Sequence, residues 1–168
     1  MKSFKRRGML YKRKRQGKTD YKRRLGLLKA GQIRLVIRRS LHNITIQFVQ
    51  FHPDGDTILS ATSSKELQKK YNVKGSMKNT PAAYLVGLLA GKKALGLKVK
   101  EAIPDLGGRK PHTGGAVFAA LRGVIDAGIP IPHEKVTDEG SVFPTQERIE
   151  GAHLTVKQDY KGLKEKLV

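Results

Sequence analysis

The 168-residue chain contains no cysteine, so neither a disulfide nor a thiolate metal site is open to it. Tryptophan is absent too, and aromatic residues make up only 6 % of the chain. Carboxylates are scarce: 14 Asp and Glu stand against 34 Lys and Arg, for a formal net charge of +20. Metal-assisted and general acid–base catalysis both draw on converging acidic groups, and here these are few and scattered. No apolar run approaches the ~20 residues that span a bilayer. No apolar stretch backs the basic N-terminus, as a secretory signal requires. An organelle-import leader would need Ser enrichment and helical amphipathicity that the first residues lack. His42, His52, His112, His133 and His153 show no i,i+3 or i,i+4 pairing, so surface or contact roles are expected rather than metal ligation. These absences predict a soluble, intracellular protein with no cofactor, no metal, no membrane partner and no homo-oligomer, whose partner is anionic.

What the chain has in excess is positive charge at its start. Residues 1–24, MKSFKRRGMLYKRKRQGKTDYKRR, hold twelve Lys and Arg and one carboxylate, Asp20, a formal +11 of the total +20. No apolar period runs through them, so the segment has no face to bury. It is expected to stay disordered until a polyanion neutralises its like charges. Phe4, Tyr11 and Tyr21 are interleaved with the cations. Cations meet phosphates and flat rings stack on exposed bases, a pairing that suits RNA better than duplex DNA. A solvated basic tail is the plain alternative.

Three units follow: a basic arm and lead-in over 1–31, an α/β core over 32–133 and a C-terminal extension over 134–168. Gln32 to Arg39 alternates, with Ile33, Leu35 and Ile37 on one side and Arg34, Val36 and Arg38 on the other. This reads as a half-buried strand with a basic outer face. Ser40 to Asn43 makes a hairpin. Ile44 to Phe51 is a second strand whose apolar phase slips between Phe48 and Val49, the mark of a bulge. His52-Pro53-Asp54-Gly55 is a turn, and Asp56 to Thr62 a third strand, completing an antiparallel meander. Ser63 and Glu66 stand at capping-box spacing before a short helix near Lys65 to Tyr71. Thr80 is expected to cap a long helix with Pro81 at its first position, a stripe at Leu85, Leu88, Leu89 and Leu95, and an end at Gly96. Gly87 and Gly91 within it predict close packing against another backbone. Lys98 to Leu106 is expected as a fourth strand. A second helix runs through Val117, Phe118, Leu121, Val124 and Ile125 and closes at Gly128. Residues 129–133 are extended by their prolines. Short helices are expected at Thr145 to Gly151 and Thr155 to Val168.

The Gly-rich stretch 107–115 before the second long helix has neither dinucleotide-binding nor P-loop spacing. Its glycines, Arg109 and Lys110 can still hold a backbone phosphate. Asp105, at a strand end, stands where a nuclease of the ribonuclease-H kind keeps one metal ligand. The first strand offers Arg rather than acid on its outer side, so catalysis is not expected. Two rivals to an RNA-scaffold role stay open at this point. One is a metal-dependent nuclease using Asp105, the other a free RNA chaperone or DNA-compacting protein.

Four stretches in order carry a resemblance: KRQGKTDYKRR (14–24), RLVIRRS (34–40), NTPAAYLVGLLAGKKA (79–94) and FAALRGVIDAGIPIPH (118–133). Together they resemble the universal large-subunit ribosomal protein family numbered eighteen, in its archaeal and eukaryotic branch, over roughly residues 5 to 155. Eukaryotic members run on past this chain's end, so their extra contacts do not carry over. The resemblance implies a three-layer α/β domain related to the ribonuclease-H-like fold, with a mixed sheet, flanking helices and no catalytic carboxylates. It implies that the arm and one side of the sheet clasp 5S ribosomal RNA. It also implies docking onto large-subunit ribosomal RNA at the central protuberance, beside the other 5S-binding ribosomal protein.

The residues then expected to touch RNA fall in three groups. In the arm, Arg6, Arg7, Lys12, Arg13, Lys14, Arg15, Lys18, Arg23 and Arg24 meet phosphates, while Tyr11 and Tyr21 stack on bases or bond to sugars. Arg38, Arg39, His42 and Asn43 form a second contact at the hairpin, and Arg109, Lys110 and His112 a third.

Overall fold

The computed structural model describes residues 8–73, 75–108, 111–133, 141–154 and 162–164. In chain order these form α1 (Lys12–Arg15), α2 (Tyr21–Lys29), β1 (Ile33–Arg39), β2 (Ile44–Gln50), β3 (Thr57–Ser63) and α3 (Ser64–Tyr71). They continue with α4 (Thr80–Gly96), β4 (Ala102–Asp105), α5 (Ala116–Asp126) and α6 (Gln146–Ile149). The four strands stand in the order β3-β2-β1-β4. β1, β2 and β3 pair antiparallel, while β4 pairs parallel with β1, so the sheet is mixed. This is the α/β architecture expected above. Among the described residues no helix is long and apolar enough to cross a membrane.

The meander follows its sequence signals closely. The register of β2 against β3 slips between Phe48 and Val49, where the apolar phase changes. Leu35, Ile37, Ile44, Ile46 and Phe48 point into one core with Leu67, Leu85, Leu88 and Val124. Ser63 caps α3 with Glu66 answering at the third position, the reciprocal pair that its spacing predicts. Glu66 also accepts from Lys93 Nζ at 2.7 Å, tying α3 to α4. Burial would raise the Glu66 carboxyl, but bonds and charge from Lys93, helped by Ser63 and Lys70, outweigh it and hold it below its ordinary value.

α4 differs from its expected stripe. Every residue from Thr80 to Gly91 is buried, because the helix lies between the sheet and α5 rather than on the surface. Leu95, expected in the stripe, is 44 % exposed. The cap is Asn79, one residue before Thr80: its side-chain oxygen accepts from the Ala82 N–H at 2.9 Å. The helix ends at Gly96, as expected, but Gly96 is not the residue that turns the chain away. Lys98 takes the left-handed conformation at φ 57°. Its N–H donates to Leu95 O and that of Val99 to Ala94 O, a double closure of the last turn. Residues 97–99 are thus spent on ending the helix, which is why β4 begins at Ala102 rather than Lys98.

Close packing at Gly87 and Gly91 is realised against α5. A Cβ on Gly87 would lie 2.2 Å from Ala120 O, and one on Gly123 of α5 2.2 Å from Tyr84 O. The two backbones therefore touch with no side chain between them. Beside this crossing, Tyr84 Oη donates to Asp126 Oδ2 at 2.7 Å. Burial, and then Asp126, push the phenol far above its ordinary value, so it stays a donor. The helix expected at Thr155 to Val168 lies largely outside the described residues.

Candidate nucleic-acid interface

Among its described residues the arm carries α1 and the start of α2, where its charge predicts no helix. Asp20, its one carboxylate, caps α2 by accepting from the Lys22 and Arg23 N–H groups. α2 has no fully buried residue, only half-buried ones such as Leu27 and Leu28, so packing holds it weakly. Two neighbouring arginines anchor it. Arg23 Nη1 donates to Gly107 O at 2.9 Å, beyond the end of β4. Arg24 Nη2 donates to both oxygens of Asp56, at 2.7 and 2.9 Å, beside the β2–β3 turn. These anchors belong to opposite margins of the sheet, so α2 bridges between them.

Arg34 explains why Asp56 is there. Sequence alternation puts it on a wet outer face, yet its side chain is only 3 % exposed. A buried guanidinium is very costly unless paired. Arg34 Nη2 donates to Asp56 Oδ2 at 2.6 Å, and its Nη1 reaches Asp105 Oδ2 at 3.4 Å. Asp105 continues the chain of charge. Its Oδ1 accepts from Arg38 Nη2 and from the Gly107 N–H, both at 3.0 Å, while its backbone oxygen accepts from Arg38 Nη1 at 2.6 Å. The order is Arg24, Asp56, Arg34, Asp105, Arg38, alternating in sign from the arm to the end of β1. Burial alone would raise the Asp56 carboxyl, but the bonds and charges of Arg24 and Arg34 outweigh it and hold it below its ordinary value.

Gly107 is where the three expected RNA segments meet. Its oxygen takes Arg23 from the arm. The Arg38 guanidinium lies 3.2 Å from where a Cβ on Gly107 would sit, and its φ of 79° suits glycine. A Cβ on neighbouring Gly108 would be 4.0 Å from Gly17 O of the arm. Arm and first strand thus meet the described start of the Gly-rich loop at Gly107 and Gly108.

Around this junction, Lys12, Arg13, Lys14, Arg15 and Lys18 are exposed on and after α1, and Arg13 Nε is steadied by Thr19 Oγ1 at 2.8 Å. The Tyr11 and Tyr21 rings approach to 5.4 Å between centroids, tilted by 49°. Arg38 keeps 47 % of its side chain exposed despite its bonds. Arg39, His42 and His112 are exposed, while Asn43 is half-buried and its side-chain oxygen accepts from Ser64 Oγ. Arg24 differs from its neighbours in that Asp56 already matches its charge. Arg6, Arg7, Arg109 and Lys110 lie outside the described residues.

Sequence reading missed that Arg34 is buried and paired with Asp56 and Asp105 beneath this surface. A lone arginine inside the otherwise apolar IRLVI run was the available signal, since such a cation on a central strand demands a buried counter-charge. As for Asp105, both its carboxylate oxygens are engaged by arginines or an amide. No group of three His, Cys, Asp or Glu among the described residues is placed to hold a metal.

Residues 5–102 match the family described as ribosomal large subunit proteins 60S L5 and 50S L18. The chain is 45 % identical over 155 residues to the large ribosomal subunit protein uL18 of Methanococcus maripaludis, covering 92 % of this chain and 76 % of that one. It is 43 % identical over 143 residues to uL18 of Aeropyrum pernix, covering 85 % of this chain and 64 % of that one, a little under two thirds of the relative's length.

Proposed function

The chain belongs to the family of large-subunit ribosomal proteins 60S L5 and 50S L18, and from that premise we propose that it binds 5S ribosomal RNA and helps anchor it to large-subunit RNA at the central protuberance. In this family it is a structural, non-enzymatic constituent of the large ribosomal subunit, in the cytoplasm, among ribosomal RNA and other ribosomal proteins. The observation that supports the finer reading is the meeting of the basic arm and the Arg38 end of β1 at Gly107, where the Gly-rich loop begins. Lys12, Arg13, Lys14, Arg15, Lys18 and Arg23, with Arg6 and Arg7 before them, meet phosphates. Tyr11 and Tyr21 offer tilted rings to unstacked bases or sugars. Arg38, Arg39, His42 and Asn43 extend the contact along the hairpin, and Arg109, Lys110 and His112 along the loop. Arg24 serves mainly to hold α2. On this reading residues 1–31 act as arm and lead-in, 32–133 as the core that displays them, and 134–168 as an extension. The other 5S-binding ribosomal protein is the expected neighbour.

A competition titration tests it. Labelled 5S RNA bound to the purified full-length chain is challenged with unlabelled 5S RNA or a random RNA of equal length. The reading expects 5S RNA to compete at least ten-fold better. Equal competition would favour a free RNA chaperone instead.

A further inference from the structure

Two carboxylates sit inside a surface whose work, on the reading above, is to bind a polyanion. In plain Coulomb terms they weaken it, since each lowers the local positive potential. Their placement is nevertheless specific. Asp56 receives Arg24 and Arg34, and Asp105 receives Arg34, Arg38 and the Gly107 N–H. The remaining acid of the same turn, Asp54, is 93 % exposed and meets only His52, at 3.6 Å.

We infer that Asp56 and Asp105 are positioning residues for RNA recognition, which hold α2 and the Arg38 guanidinium in the arrangement that a folded RNA engages. The inference rests on the RNA-binding reading. A free arginine side chain or an undocked helix loses conformational freedom on binding, and that loss is charged against affinity. α2 is nine residues long and has no fully buried residue, so in isolation it would be marginal. Asp56 gives it a fixed partner through Arg24. Asp105 holds Arg38 by two bonds on one guanidinium edge while leaving nearly half the side chain open to a phosphate. The buried Arg34 links the two carboxylates, so arm and strand end are set by one network rather than separately.

The test turns on sign. Asp105→Asn and Asp56→Asn each raise the net charge by one. If charge alone governed binding, both would tighten it. Positioning predicts the reverse: RNA affinity falls by roughly five- to ten-fold in each, the scale expected when one or two ordered side chains are released. Asp54→Asn makes the same charge change outside the network and should leave affinity level or slightly improved. Asp105→Glu restores the charge and the acceptor and should recover most of the loss. Melting curves check that each variant is folded. Amide exchange across residues 21–29 of the free protein supplies a second readout, expected to quicken in Asp56→Asn and not in Asp54→Asn. Aspartate-to-asparagine variants that bind as well as the unaltered chain would overturn the proposal, as would unchanged exchange in α2. Should the unaltered chain fail to bind RNA, the RNA reading falls, and the exchange result alone decides whether Asp56 holds the helix.

Discussion

Removal of residues 1–19 should lower affinity for 5S ribosomal RNA by about a thousand-fold or more near physiological salt, and leave the melting temperature of the core unchanged. The deleted stretch carries nine Lys and Arg and no acid. Each phosphate that it neutralises adds about −0.7 to −0.9 to the slope of log affinity against log salt, so a chain that keeps six to ten such contacts loses roughly 10³–10⁵ in affinity between 50 and 200 mM, a salt-sensitive share of binding that the truncated chain lacks. The truncated protein should therefore show both weaker binding and a much shallower salt slope in filter-binding titrations. The cut spares Asp20, so α2 keeps its cap and its anchors at Asp56 and Gly107. Among the described residues, those before Asp20 are almost all exposed and none is part of the apolar core. A truncated chain that binds as before, or that no longer folds, would show the arm's role to be misread.

The second large effect concerns the fold. Gly123→Ala should destabilise the protein by about 2–3 kcal/mol, near the upper end of the usual cost of overpacking. The added Cβ would lie 2.2 Å from Tyr84 O and 2.9 Å from Leu88 N, both backbone atoms in the stretch of α4, Thr80 to Gly91, where every residue is buried. Neither atom can turn aside as a flexible side chain would, so α4 and α5 must separate along their contact. Alanine's better helix propensity returns only about 1 kcal/mol, an offset too small to change the sign. For a domain of this size the loss corresponds to a drop of roughly 5–10 °C in thermal midpoint. Gly96→Ala is the control. Nothing lies within 4 Å of that Cβ, and its midpoint should stay within about 2 °C of the parent. A Gly123→Ala protein melting with the parent would mean that the helices do not cross as closely as described.

Short-range signals in the sequence located most of the framework. Ser63 and Glu66 marked a helix start because capping is decided within four residues. The phase slip at Phe48 and Val49 marked the bulge because strand alternation exposes a single inserted residue. Gly87 and Gly91 marked a close approach because a helix keeps glycine at a cost unless something needs the space. What was hidden depended on partners distant in the chain. Arg34 reads as a solvated strand residue until Asp56 and Asp105, 22 and 71 positions away, are brought beside it. The arm reads as a repelling coil until Asp20 caps it and the same Asp56 anchors Arg24. Charge counting identified the cations but not which of them are already spoken for. The family resemblance, carried by four ordered stretches, agrees with the match over residues 5–102. It also brought in the 5S RNA, which no local pattern names.

The central claim is that arm, β1 end and Gly-rich loop act as one RNA face. Photocrosslinking of the full-length protein to 5S RNA, with the attached peptides mapped by mass spectrometry, addresses it most directly. The account predicts attachment within residues 4–24, 38–43 and 107–113, and none on α3 or on the β3 edge. Crosslinks confined to the arm, or centred on α3, would contradict it.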